Sequence, residues 1–149
     1  DGASLEFLAN AAVPRSITDA HHRIPVGAAM PVAYTFRTST AQFIETPEDY
    51  QERFPEFYRT HGSQTRSQAF ATIPLVLPSG RVIGTCGIGF LTPHQFAEDE
   101  RAFLLTLTRQ AAQALDRARL LDLEKRARLE AAEEEIAIMK AAEARLAGL

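Results

Sequence analysis

Cys86 is the only cysteine among the 149 residues, which excludes an internal disulfide and any cysteine-rich zinc or iron-sulfur site built from one chain. A reducing, cytoplasmic setting is the expectation that follows. There is no surplus of basic residues either. The formal net charge of −3 leaves nothing spare to neutralise phosphates, so neither nucleic acid nor an anionic membrane is an expected partner. No apolar run approaches the roughly 18 residues that suggest a membrane span. The opening DGASLEF has neither the basic end nor the apolar centre of a signal peptide. A metal centre is not expected. His21 and His22 are neighbours on a predicted short helix, about 100° apart around its axis, and are expected to face solvent.

What the chain does have is 46 % apolar residues, enough for one core at the usual size of one domain. Two apolar runs, AFATIPLVL and RVIGTCGIGFL, joined by Pro78-Ser79-Gly80, read as a β-hairpin. On its first strand Ile73, Leu75 and Leu77 face one way, and Phe70, Thr72 and Val76 face the other, so both faces are predicted to be covered. Pro74 lacks a backbone donor and should mark an unpaired position or a bulge. On the return strand Val82, Gly84, Cys86, Ile88 and Phe90 alternate with Ile83, Thr85, Gly87, Gly89 and Leu91. Glycine weakens a strand, so Gly84, Gly87 and Gly89 suggest close approach of a helix or a ligand to the sheet backbone. Cys86, among apolar neighbours, reads as a small hydrophobe.

Ahead of the hairpin, Asp1-Gly2 is a favoured hairpin-turn dipeptide before an apolar stretch from Ser4 to Val13. The expectation is one long strand whose partner lies upstream, in a protein that continues beyond Asp1. Ser16 and Asp19 form a capping pattern for a helix over roughly Ile17 to Arg23. A second helix is predicted from Pro31 to about Thr38, then a short strand in AQFIET. Thr46-Pro47-Glu48-Asp49 combines a cap, a first-turn proline and acidic residues near a helix's positive end. The helix it starts carries Tyr50, Phe54, Phe57 and Tyr58 at helical spacing, with a kink or break predicted at Pro55. Arg66, in the polar loop HGSQTRSQ, reads either as an ordinary exposed loop arginine or as a cation able to grip an anionic ligand.

After Thr92-Pro93 a long helix is predicted from about Phe96–Glu98 to Ala147. Steps of four and three along Leu104, Thr108, Ala111, Leu115, Ala118, Asp122, Lys125, Leu129, Ala132, Ile136, Met139, Glu143 and Leu146 make a heptad seam with polar interruptions. Beyond about Leu123 no further sheet is expected for the helix to lie on. A parallel homodimer is therefore predicted through Leu115, Ala118, Leu129, Ile136, Met139 and Leu146. The expected division is residues 1–121 as the globular part and 122–149 as a coiled-coil helix.

Strand, two short helices, strand, helix, hairpin and long helix define an α+β class with an antiparallel sheet. In this order the stretch ATIPLVLPSGRVIGTCGIGFLTPHQFAEDERAFLLTLTRQAAQAL resembles the GAF domain, a regulatory module of signalling proteins. Its Pro-Leu strand, basic-apolar-Ile-Gly return strand, Pro-x-x-Phe linker and terminal helix carry the likeness, with the family's first helix and strand lacking. The resemblance implies a GAF/PAS-like sheet with helices on both faces and a small-molecule pocket between the sheet and the preceding helices, here Phe43, Tyr50, Phe54, Phe57, Tyr58, Arg66, Thr85 and Gly87. It also implies dimerisation through the terminal helices, and a downstream kinase, phosphatase, cyclase or transcription module. It names no cofactor. Phe96-Ala97-Glu98-Asp99-Glu100 lacks the Asn-Lys pair and one residue of the cyclic-nucleotide pattern, and Cys86 has no adjacent histidine for bilin attachment. Methionine sulfoxide reduction needs a nucleophilic and a resolving cysteine, so no enzymatic activity is expected. The alternative to a ligand sensor is a ligand-free dimerisation and relay domain.

Overall fold

A computed structural model describes residues 4–11 and 15–149. The chain divides into two compact units, 1–112 and 113–149. The first unit is built on a three-stranded antiparallel sheet, β3 (Gln42–Ile44), β4 (Ala69–Val76) and β5 (Val82–Phe90), in that order. The hairpin is the one that the two apolar runs predict. It closes with Leu77 N–H donating to Arg81 O and Gly80 N–H donating to Leu77 O. Gly80 has φ 87°, a left-handed conformation in which a side chain would be strained.

Register assigns the two faces of this sheet. Phe43, Ala71, Ile73, Cys86 and Ile88 share one face, and Gln42, Ile44, Phe70, Thr72, Thr85, Gly87 and Gly89 share the other. Pro74 lies opposite Thr85 in an ordinary pair, and the irregularity falls one step later, between Leu75 and Val76. The physical reason is the short neighbour. β3 stops opposite Thr72, so at Pro74 the strand is paired with β5 alone and its missing N–H is tolerated.

The first face is covered by α5 (Glu98–Ala147). Ala71, Ile73, Phe96 and Leu104 form a buried cluster, with Ala41, Phe43, Ile88, Phe90 and Leu105 packed against it. Leu104, Thr108 and Ala112 are the buried positions of α5, a strict step of four. Thr108 is accommodated because its hydroxyl donates to Leu104 O at 2.9 Å. The first positions of the predicted seam thus lie inside the domain. Leu104 packs on the chain's own sheet, Thr108 is buried, and Ala112 is buried in place of Ala111, which is exposed.

The second face is covered by α2 (Pro31–Thr38) and by α3 (Pro47–Arg53) and α4 (Pro55–His61). Thr46 Oγ1 accepts from Asp49 N–H at 3.1 Å, and Asp49 Oδ2 accepts from Glu45 N–H at 3.1 Å. The two bonds fix the entry to α3 reciprocally, in the manner of a capping box. Pro55 ends that helix. Phe54, with φ −134° and ψ 61°, separates α3 from α4, at the predicted break.

The N-terminal segment departs from expectation. β1 spans only Ser4–Glu6 and pairs with β2 (Arg23–Pro25) as a separate two-stranded sheet. Phe7 and Leu8 are exposed, so apolar content past Glu6 does not extend the strand. The Asp1-Gly2 turn and Val13 lie outside the described residues. The short helix, α1, runs Arg15–Ala20, leaving Ser16 inside it rather than at its cap. Residues 113–149 are helical to Ala147 and exposed throughout except half-buried Asp116. No described helix is long and apolar enough to cross a membrane.

Ile73 is fully buried, so Ile73→Ala is expected to lower unfolding free energy by about 2–5 kcal/mol. Leu91, at 70 % exposure, should cost less than about 0.5 kcal/mol when cut to alanine. Urea unfolding of the two variants measures the contrast.

Candidate functional site

The second sheet face is where the polar residues of the interior collect. Thr35 of α2 and Thr72 of β4 are both essentially buried, and their hydroxyls are 2.6 Å apart. Gln42, also buried, donates through Nε2 to Thr40 O and accepts from Arg53 Nη2. Arg53 further donates to Phe43 O at 2.8 Å and lies 3.6 Å from Asp49. Buried hydroxyls and amides persist only with such partners, and they give this face its hydrogen-bonding capacity. Thr35, Thr72 and Gln42 were not singled out from the sequence. The available signal was a threonine and a glutamine at strand positions in register with Phe70 and Ile44.

Gly87 lies opposite Thr72, and a Cβ built on it would meet no atom within 4 Å. The three strand glycines therefore differ. Gly89 is held close by the Ser67 side chain, whose Oγ would lie 2.4 Å from an added Cβ, whereas Gly84 has only ordinary contact with Leu75 at 3.5 Å. Close approach explains Gly89. At Gly87 it leaves open space beside the buried threonine pair, with half-buried Thr85 two residues away on the same face.

Of the other expected site residues, Tyr50, Phe54, Phe57 and Tyr58 are brought together. Tyr50 is buried at the centre, its ring 6.4, 6.0 and 5.4 Å from those of Phe54, Phe57 and Tyr58 and 4.6 Å from Phe70. The cluster fastens α3 and α4 to the sheet, and burial pushes the Tyr50 phenol up from its ordinary range. Phe43 is separated from them. It points to the α5 face, 5.2 Å from Phe96 and under the Arg101 guanidinium, because β3 alternation sends it opposite to Gln42 and Ile44. Arg66 is exposed in the loop before β4. A shallow cleft on α3 and α4, lined by Gln51, Pro55, Tyr58, Arg59, Gly62 and Ser63, shares only Tyr58 with the expected set.

Cys86 belongs to the α5 face, and burial pushes its thiol up, away from the low-pKa condition of a nucleophile. Among the described residues no group of three or more His, Cys, Asp and Glu is placed to hold a metal ion. His21 is half-buried against His61 and Phe57, contrary to the solvent-facing expectation, while His22 is exposed.

On the α5 side of the sheet runs a clasp. Glu45 Oε1 accepts from Phe96 N–H at 3.0 Å and from Arg101 Nη2 at 3.1 Å, and Glu45 O accepts from His94 N–H at 3.1 Å. Arg101 Nε donates to Phe96 O at 2.8 Å. His94 stacks on Phe90 at 4.1 Å and meets the Glu100 carboxylate at 2.8 and 2.9 Å. The end of β3 is thereby tied to the linker and first turn of α5.

A three-stranded antiparallel sheet with a helical cover on one face and a long terminal helix on the other defines the architecture of a small sensory or regulatory α+β domain. The GAF domain family model matches residues 1–116, and the chain belongs to that family, a sensory and regulatory domain type found in signalling proteins. Similar solved structures include a Sinorhizobium meliloti domain described as part of a two-component sensor histidine kinase, with 23 % identity and TM-score 0.59, covering 84 % of this chain and 79 % of that one. The GAF domain of phosphoenolpyruvate-protein phosphotransferase from Acinetobacter matches at 19 % identity and TM-score 0.53, covering 68 % of this chain and 55 % of that one. fRMsr of Staphylococcus aureus, in complex with substrate, matches at 13 % identity and TM-score 0.57, over 76 % of this chain and 65 % of that one. At these identities the likeness is one of fold, and the fold also carries an enzyme. No curated protein matches the chain.

A methyl group at Gly87 has room and suits a strand, so Gly87→Ala is expected to be neutral or stabilising by up to about 1 kcal/mol. Gly89→Ala, forced against Ser67, is expected to lower Tm. Thermal unfolding followed by circular dichroism compares the two.

Proposed function

We propose that this GAF domain is the sensor of a signal-transduction protein, binding a small molecule or partner on the sheet face that carries Thr35, Thr72, Thr85 and Gly87. The bias passes through the sheet to α5. One observation carries this reading: the sheet that bears the open position at Gly87 is fastened on its other side to the start of α5 by Glu45 and Arg101. A ligand that shifts β3 relative to β4 would change the geometry of that clasp, and only a ligand with differential affinity for two arrangements can do so. Tyr50, packed on Phe70 of this face, with Phe54, Phe57 and Tyr58 around it, and the exposed loop residue Arg66 are the candidate contacts, the aromatic group acting first as core. Phe43 serves the relay rather than the pocket.

In this proposal α5 pairs with its copy in a parallel homodimer through Leu115, Ala118, Leu129, Ile136, Met139 and Leu146. Leu129, Ile136, Met139 and Leu146 are each more than half exposed, and a partner helix removes them from water. The dimer conveys the signal to a kinase, phosphatase, cyclase or transcription module in the cytoplasm. The role is regulatory rather than catalytic, in keeping with the placement of Cys86. A second reading, a ligand-free relay domain, draws on the density of the Tyr50 cluster, which already fills much of the helical side.

Thermal shift of the chain across nucleotides, haem and small organic acids separates the two. A sensor gains stability as RT ln(1 + [L]/Kd), about 2.7 kcal/mol at a hundredfold excess over Kd, and Gly87→Leu should abolish that gain while leaving the unliganded Tm within a few degrees. No response in the panel favours the relay reading. Mass measurement in solution at high micromolar concentration should give twice 16.4 kDa, and a monomer contradicts the dimer.

A further inference from the structure

The geometry points to an acid-sensitive latch between the N-terminal segment and α4, formed by His21 and His61. Their Nε2 atoms lie 2.7 Å apart, from positions 40 residues apart in sequence. The rings meet edge to face at 4.6 Å, and the outer side of His61 is stacked on Phe57 at 4.5 Å. At this distance one nitrogen must donate and the other accept, which requires two neutral imidazoles or a single shared charge. Two imidazolium rings would set like charges and two N–H groups against each other.

The other nitrogen of His61 decides the cost of the first extra proton. His61 Nδ1 is buried and has no hydrogen-bond partner among the described residues. A bare lone pair there is less costly than an unpartnered N–H, so the neutral pair has His61 donating from Nε2 and His21 accepting. A proton added to His21 forces His61 to accept instead, and its remaining N–H must then sit at the unpartnered Nδ1. A proton added to His61 has the same result. Either route leaves a buried donor without an acceptor.

The surrounding charges do not relieve this. On the segment of His21, Asp19, His22 and Arg23 are exposed, and Arg23 is engaged by Glu6 at 2.7 Å. On α4, Glu56 and Arg59 are exposed, and the group facing both rings is Phe57. Among the described residues neither ring forms an ion pair with a carboxylate. Burial, followed by the His61 charge, accordingly lowers the affinity of His21 for a proton. Because the folded value lies below the unfolded one, stability is lost as pH falls from the unfolded value, about 6.5, through the folded one.

The contact matters because β1 and β2 form their own sheet, separate from β3, β4 and β5. Among the described residues it is also anchored by Ile24, which is buried, and by Arg37, which donates to Val26 O and Ala28 O just after β2. Acidification therefore loosens one end of a small N-terminal unit and leaves the clasp at Glu45 in place.

An NMR titration of the four histidines in the whole 149-residue chain tests the latch. The expected result is that His21 takes up its proton at a lower pH than an unperturbed histidine, and that His61→Gln returns it toward the ordinary value. Thermal unfolding supplies an independent arm: on acidification from about pH 7.5 to about pH 5, the wild-type chain should lose several degrees more in Tm than the double variant His21→Gln/His61→Gln. His94, with its Glu100 partner, is common to both chains and cancels in that difference. Titration of both rings at ordinary values in the wild-type chain overturns the proposal, whether or not the variants fold.

Discussion

Glu45 is the residue on which the arrangement of this domain turns. Its carboxylate satisfies the Phe96 N–H and draws in Arg101, its carbonyl takes the His94 N–H, and its own N–H is held by Asp49 at the start of α3. The linker and α5, both distant in sequence, thus meet the adjacent start of α3 at the end of one three-residue strand. The ion pair itself is about two-fifths exposed on the arginine side and one-third on the carboxylate side, so its charge contributes little in water. Its importance lies in geometry. The backbone donor of Phe96 leads into a buried aromatic side chain, and leaving that donor without an acceptor costs more than losing a surface ion pair.

Local chemistry made the hairpin and the helices around it legible. Pro31, the Thr46-Pro47-Glu48-Asp49 start, the Pro55 break and the run into Ala147 each act over one helical turn, and the structure places helices accordingly. The N-terminal stretch was harder to read because apolar residues alone do not define a strand. Leu5 pairs with Ile24, while Phe7 and Leu8 have no neighbouring strand among the described residues. Pairing is a tertiary fact. β2, only three residues with a proline at its end, carries no pattern of its own that would announce it.

The candidate face was half legible. Alternation along the return strand separates Thr85 and Gly87 from Cys86 and Ile88, as register confirms, yet it does not reveal which glycine is crowded. Only the position of Ser67 distinguishes Gly89 from Gly87. Phe43 and the aromatic stripe read alike in sequence because both are large and apolar, whereas strand parity sends Phe43 to the Arg101 side. On α5 the heptad pattern runs through Leu104 and Thr108 without a break, although both are buried and Leu104 packs on the domain's own sheet. A seam that serves a sheet at one end and another helix at the other reads the same in sequence, since both ask for apolar residues at similar spacing.

The account depends on mechanical continuity from β3 to the first turns of α5, and amide hydrogen exchange of the intact chain measures it most directly. In the wild-type chain the amides of Phe96 and of residues 101–105 should exchange slowly. Glu45→Ala should accelerate exchange in β3, in the linker and in those first turns together, with the remainder of β4 and β5 little changed. Acceleration confined to Glu45 and its immediate neighbours, with Phe96 and the start of α5 still protected, would contradict the account.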